Sequence, residues 1–324
     1  MKISVIIPIY GVERFIEKCA KSLFSQTLQD VEFIFVNDAT KDKSIEILRQ
    51  VLNQYPARKN QVKILEHICN KGLPAARNTG LSVAEGEYIY HCDSDDWMEP
   101  DMLISLYEFA CKGDLDYVWC DWFLSYNRKE RYMSQKSFST PINLVCGMLS
   151  DSVKYNVWNK LVRRSLYLDY RISFPEGHSM GEDMTMIKLA SCAHKVGYLP
   201  KAFYHYVKTN NNAMTNQWKE KSLNDVYYNV YDTLSFLDNH VIIPLEVQAF
   251  FKLNVKLPFL ISLDKDLYYL WEKWFPEANS YIWKNHSISK RIRILQWMAA
   301  HRQWWYVYIH YYIIYKVIYR KLYL

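Results

Sequence analysis

Tyr88-Ile89-Tyr90-His91-Cys92-Asp93-Ser94-Asp95-Asp96-Trp97 is a short apolar run that ends in three carboxylates. The run reads as a buried strand, and polar groups just past such a strand lie where open α/β sheets hold their ligands. In extended chain, residues i and i+2 point to the same side, so Asp93 and Asp95 present two carboxylates together. Adjacent carboxylates repel unless a cation or a proton relieves them. A hard divalent ion, Mg2+ or Mn2+, suits the pair, with phosphate oxygens and water in its remaining positions. The alternative is a capped turn in which one aspartate starts a helix at Met98 or Glu99.

Outward from this run, similar β-branched or aromatic stretches predict strands at Ile3 to Ile9, Val31 to Asn37, Val62 to His67 and Tyr117 to Phe123. Between them, Val12 to Gln26, Asp42 to Leu52 and Pro100 to Ala110 carry apolar stripes at helical spacing. This alternation predicts an α/β fold with a mostly parallel sheet covered on both faces. Further along, Glu182 to Ala193 reads as a helix and Ala202 to Val207 as a strand. Each early strand delivers polar groups at its end. The first gives Pro8, Tyr10 and Glu13, the second Asn37-Asp38-Ala39-Thr40, the third Lys71-Gly72 leading into Pro74-Ala75-Ala76-Arg77-Asn78. A dinucleotide-binding G-x-G-x-x-G turn is missing, which removes the common dehydrogenase reading. Aspartate-nucleophile phosphatases fit poorly, because their paired aspartates normally follow the first strand.

These sets, in this order over about residues 3 to 210, resemble the family 2 glycosyltransferases, inverting enzymes of the GT-A fold with nucleotide-sugar donors. The resemblance implies that Pro8, Tyr10 and Glu13 line the nucleotide pocket and that Asp38 accepts a hydrogen bond from the base. It implies that Arg77 lies near base and diphosphate, with Lys71 and Ser94 completing the donor side. Asp93 and Asp95 become the D-x-D pair, touching ribose and metal, and His205 a third metal ligand or phosphate contact. Asn37 and Ala39-Thr40 depart from the usual family pattern, whereas Asp38 keeps it. The acidic pair Glu182-Asp183 matches the acceptor-facing helix start, with Asp183 as general base and Glu182 as its neighbour. Residue chemistry alone also allows Asp38 to cap a turn, Glu182-Asp183 to complement a helix dipole, and His205 to be structural. Trp158-Asn159-Lys160-Leu161 resembles a segment that shapes the acceptor side.

The expected reaction is transfer of a sugar, from a UDP-sugar by the reading of Asp38, to a hydroxyl of a saccharide or glycolipid in bacterial cell-surface polysaccharide assembly. Transfer to a polyprenyl phosphate is the catalytic alternative, and a non-catalytic nucleotide- or saccharide-binding protein the other. The expected organisation is a GT-A domain over 1–212, divided into a nucleotide-sugar half (1–125) and an acceptor-side half (126–212), followed by a helical region over 213–324.

Charge divides unevenly along the 324 residues. Ala278 to Leu324 holds eight of the 40 basic residues and none of the 34 acids, together with eight of the 27 tyrosines and four of the 11 tryptophans. The rest is therefore neutral to slightly acidic, which argues against nucleic-acid binding at the proposed site. Between Arg302 and Lys316 lie 13 residues, about 20 Å as a helix, against ~30 Å of bilayer core. This tail, with Trp304 and Trp305 at one end and Lys316, Arg320 and Lys321 at the other, is expected to lie on an anionic inner leaflet or to pack on protein. The seven cysteines include no C-x-x-C pair, and the N-terminus lacks signal-peptide features. A cytoplasmic protein, peripheral on the inner membrane, is the resulting expectation, and a homo-oligomer is compatible with it.

Overall fold

The apolar strand β1 (Ile3–Ile9) is buried along its whole length, because it lies between two other strands and against the helix over Leu73–Ser82. Each fully buried aliphatic side chain there contributes roughly 1.5–3 kcal/mol. A computed structural model describes residues 1–126, 129–208 and 220–319. The expected boundary at 212/213 and the basic residues Arg320 and Lys321 lie outside the described residues.

Met1–Pro141 together with Tyr155–His240 form one compact unit, and Ile142–Lys154 with Val241–Leu324 a second. In the first, β1 is followed by α1 (Ile16–Phe24), β2 (Val31–Asn37), α2 (Ser44–Asn53), β3 (Val62–Glu66), α3 (Leu73–Ser82) and β4 (Tyr88–His91). Next come β5 (Trp97–Met98), α4 (Met102–Gly113), β6 (Tyr117–Ser125) and β7 (Glu130–Met133). After α5 (Pro141–Leu149), most of which belongs to the second unit, the first unit resumes with β8 (Lys160–Arg163), α6 (Arg164–Asp169), α7 (Glu182–Cys192), β9 (Val196–Val207) and α8 (Glu220–His240). The strand order is β3-β2-β1-β4-β8-β6-β9-β5, with β7 pairing β6.

The β3-β2-β1-β4 half is parallel, as the strand–helix alternation predicts. Beyond it β8 runs antiparallel to both β4 and β6, while β9 runs parallel to β6. Pro8 explains where the crevice opens. Its register pair on β2 is Val36, but its other edge faces β4, whose last partner on β1 is Ile6 opposite His91. The missing N–H of Pro8 therefore costs no ladder bond, and the two strands separate at the point where the strand order reverses. The helix α3 had no counterpart in the apolar periodicity. It starts after Gly72, whose φ of 91° lies in the left-handed region, and has Pro74 in its first turn.

In the second unit, α9 (Leu245–Lys256), α10 (Lys265–Lys273), α11 (Lys290–Ala300) and α12 (Trp304–Tyr311) lead into a π-helical stretch over Tyr312–Tyr319. Lys256 is fully buried, and its ammonium donates to the carbonyls of Trp271 and Trp274 at 3.2 and 2.7 Å. Ala278, Ile282, Leu295, Ala299 and Val307 are all buried, so the chain from 278 onward builds this unit's core. Along residues 304–318 the exposed apolar side chains are Trp305, Tyr308, Ile309, Tyr312, Ile313, Val317 and Ile318. Among the described residues no helix is long and apolar enough to cross a membrane.

Close approach of the turn before β4 to β1 makes Gly86 indispensable: a Cβ there would stand 2.4 Å from the Ser4 nitrogen and 2.7 Å from the Ile3 carbonyl carbon. Because both are backbone atoms, Gly86→Ala is expected to lower stability by about 1–3 kcal/mol, read as a shift in the urea unfolding midpoint.

Candidate functional site

Two loops are stitched together at the crevice mouth. The Gly11 amide donates to Thr40 Oγ1 at 2.9 Å, and the Glu13 amide to Asp42 Oδ2 at 2.9 Å, while Glu13 Oε2 accepts from the Lys43 amide at 3.2 Å. Tyr10 and Glu13 are exposed beside this seam, and Pro8 is buried beneath it. Asn37 Oδ1 accepts from the Thr40 amide at 2.9 Å, closing an Asx turn in which Ala39 has φ 55°.

Asp38 is buried, and both its oxygens are engaged inside the protein. Oδ1 accepts from the Lys71 amide at 2.8 Å and meets His67 Nδ1 at 2.7 Å, and Oδ2 accepts from the Gly72 amide at 2.9 Å. His67 in turn reaches Thr79 Oγ1 at 2.9 Å. The carboxylate thus holds the loop that leads into α3, while the Lys71 side chain itself is exposed.

At the end of β4, ligand oxygens of Asp93, Asp95 and Asp96 lie within 4.8 Å of one another. Asp96 is the anchor: Tyr204 Oη donates to its Oδ2 at 2.8 Å and the Val207 amide to its Oδ1 at 2.7 Å. Burial, and then the charges of Asp95 and Asp93, push its pKa well above the usual carboxylate range. The Tyr204 hydroxyl also accepts from the Asp93 amide at 3.1 Å. Ser94 is buried between the two aspartates read as the pair. Three oxygen ligands of like charge, one of them pushed toward its neutral form, fit a hard divalent cation. Asp96 escaped the residue-level reading, although the same run contains it. Its partners come from β9, more than 100 positions away.

Arg77 is buried, with one Nη donating to Asp93 Oδ1 at 2.6 Å. Its Nε and other Nη have no hydrogen-bond partner among the described residues, and the Phe174 ring lies 5.8 Å from the guanidinium. A cation of this kind beside the carboxylates is placed to meet anionic oxygens.

Glu182 and Asp183 begin α7, and both respond electrostatically to Arg77 and Asp93. Asp183 Oδ1 accepts from the Val157 amide at 3.0 Å. Enclosure by the protein, and then the charge of Asp93, raise the pKa of Asp183 to about 6, although its outer edge is still open to solvent. Burial pushes Glu182 up to about 7, and its Oε1 has no hydrogen-bond partner among the described residues. Lys160, buried nearby on β8, is pushed down to about 7 by burial, against the opposing pull of Cys120 and Asp183. Trp158 stacks on Tyr204 and Tyr206 at 4.7 and 5.3 Å, forming one wall.

His205 does not join the metal-competent group. Its Nε2 meets Glu99 at 3.0 Å and its Nδ1 meets Glu130 at 2.7 Å, and its ring stacks on Trp97 at 3.4 Å. Both nitrogens are engaged in this way, and His205 ties β9 to β7 and to the residue that follows β5.

Residues 4–181 match the family described as Glycosyl transferase family 2. The chain belongs to this family. It is 33% identical over 222 residues to the uncharacterized glycosyltransferase EpsJ of Bacillus subtilis (strain 168), covering 66% of this chain and 62% of that protein. The chain thus spans less than two thirds of that curated relative's length. Its fold is that of S. aureus TarS 1-349, solved in complex with UDP-GlcNAc: TM-score 0.63, 21% identity, 94% of this chain and 92% of the other. The mannosyltransferase PcManGT from Pyrobaculum calidifontis, in complex with GDP-Man and Mn2+, aligns at TM-score 0.56 and 15% identity over 94% of this chain and 87% of the other. The expected GT-A fold with its helical C-terminal region is therefore present.

In this family 2 chain, Asp38→Ala would strand the Lys71 and Gly72 amides. Losing those bonds is expected to destabilise the protein by about 1–3 kcal/mol. Urea unfolding and faster hydrogen exchange at residues 71 and 72 would report it.

Proposed function

We propose that the chain is an inverting glycosyltransferase that moves a sugar from a UDP-sugar to a hydroxyl of a saccharide or glycolipid acceptor in cell-surface polysaccharide assembly. The observation that carries this reading is Asp183, anchored by the Val157 amide, with a pKa of about 6 and set against Arg77 and Asp93. Its Oδ2 takes the acceptor proton as the oxygen bonds to the anomeric carbon and the diphosphate leaves with the electron pair of the broken C–O bond. A base with a pKa near the working pH suits a hydroxyl acceptor, which is a weak nucleophile; a polyprenyl phosphate would not require it. The TarS complex holds a UDP-sugar, which supports the donor class assigned here.

Asp93 and Asp95, with Asp96 behind them, are the residues that would hold Mg2+ or Mn2+, the latter being the ion in the PcManGT complex. When bound, the cation neutralises charge on the leaving diphosphate. Arg77 contributes to the same end through its unpartnered nitrogens, and Pro8, Tyr10, Glu13 and Ser94 border the donor. In this reading Asp38 acts by fixing the Lys71–Gly72 loop rather than by meeting the base alone.

The open aromatic face of the terminal helix is assigned to an anionic leaflet, where glycolipid acceptors are presented. Trp305, Tyr308, Ile309, Tyr312 and Ile313 recur at helical spacing with Lys316 among them, the pattern of an interfacial helix.

Asp183→Asn is expected to keep the fold and lower turnover by about 10²- to 10⁴-fold, with loss of sugar transfer measured by UDP release. Since the base must be ionised, wild-type kcat should be flat at high pH and fall below a pKa of about 6. A limb centred near 7 would instead point to Glu182. Full-length protein carrying Trp305→Glu and Tyr312→Glu should lose flotation with anionic liposomes, and unchanged flotation would remove the leaflet assignment.

A further inference from the structure

A groove of about 790 Å³ lies on the catalytic unit between α3, α6, α7, α8 and the segment 172–178. None of the crevice carboxylates Asp93, Asp95, Asp96 and Asp183 lines it. Asn78 follows Arg77 on α3, and its side chain accepts from the Phe174 amide at 2.8 Å and donates to the Phe174 carbonyl at 2.9 Å. Phe174 lines the groove with its ring buried, 5.8 Å from the Arg77 guanidinium. Lys188 lines the groove from α7, the helix that Asp183 begins.

The charges are unequal. Lys188 is paired with Asp232 at 2.5 Å, whereas Glu176, which accepts from the uncharged Asn78 Nδ2 at 3.0 Å, contributes one negative charge. Arg164 spends only its Nε, on the Gly86 carbonyl at 2.9 Å, and exposed Arg171 makes no side-chain bond among the described residues. Two guanidinium groups therefore remain available to the groove. Arg171 is also unusual in its backbone, with φ 51° just after α6, where glycine or asparagine is the ordinary choice. A long cation held in that conformation costs about 1 kcal/mol or more, which marks the side chain as used. Beside it, His178 stacks on Tyr228 at 3.9 Å, and Tyr228 keeps 47% of its surface open as a flat platform.

We propose that this groove is a second glycan-binding site, which holds an anionic stretch of the acceptor chain away from the reacting hydroxyl. The guanidinium forks take phosphate or carboxylate groups, and the aromatic platform takes a sugar face. Holding a chain there raises the local concentration of its acceptor end at the catalytic crevice. The inference rests on the transferase reading for its purpose, but not for the binding itself.

The test uses the full-length protein, with labelled poly(glycerol phosphate), polygalacturonate and neutral dextran titrated by fluorescence anisotropy at low and high salt. At least one anionic polymer should bind, weaken with salt, and lose roughly tenfold in affinity in Arg171→Asn, which keeps the left-handed backbone while removing the charge. Arg171→Lys, which keeps the charge but not the fork, should bind with an affinity between those of wild type and Arg171→Asn. Which anionic polymer responds identifies phosphate or carboxylate. Failure of both to bind, dextran binding equally well, or indifference to Arg171→Asn would overturn the site. UDP-sugar hydrolysis without acceptor should be the same in wild type and Arg171→Asn. If wild type releases no UDP from any UDP-sugar across a panel of saccharide and glycolipid acceptors while Arg171-dependent binding persists, the catalytic reading fails and the groove stands.

Discussion

Asp96 carries its carboxylate into the interior, where it accepts from the Tyr204 hydroxyl and the Val207 amide, and where burial and then the charges of Asp95 and Asp93 raise its pKa. Leaving a carboxylate there without partners would cost several kcal/mol, so the end of β4 and the end of β9 must meet. That meeting turns the D-S-D-D run back across the sheet edge and leaves Asp93 and Asp95 facing the crevice. The Tyr204 hydroxyl also receives the Asp93 amide, so one side chain sets both ends of the run. Arg77, Glu182 and Asp183 are then arranged around charges whose positions are already determined.

The electrostatics around that anchor separate the acidic groups by task. Asp93 has Arg77 as a direct counter-charge, whereas Asp183 and Glu182 feel the same guanidinium only at longer range and are raised to about 6 and about 7. Carboxylates of one crevice thus divide into a group suited to a cation and a group suited to accepting a proton near neutrality. That division follows from burial and neighbours rather than from residue type.

Much of this was legible in the residues themselves. β1 and β2 fall where the β-branched runs end, and the acidic run after β4 lies at a strand end because apolar burial and turn chemistry are local properties. What stayed hidden depends on long-range pairing. The short strand β8 lacks a distinct period of its own, and its antiparallel insertion between β4 and β6 makes the second half of the sheet mixed. His205 illustrates the same limit: its partners Glu99, just after β5, and Glu130, on β7, are brought to its two nitrogens only by long-range pairing. The reading of Asp38 was incomplete because its His67 partner is not marked by any motif.

The central claim is that the carboxylates at the end of β4 bind the donor's diphosphate through a divalent cation. Calorimetric titration of UDP into wild type and Asp95→Asn, each with Mn2+ and with chelator, tests it most directly. Wild-type affinity should fall at least roughly tenfold on chelation, equivalent to about 1.4 kcal/mol, and the Asp95→Asn protein should bind weakly in either condition. Equal UDP affinity in all four titrations would contradict the claim.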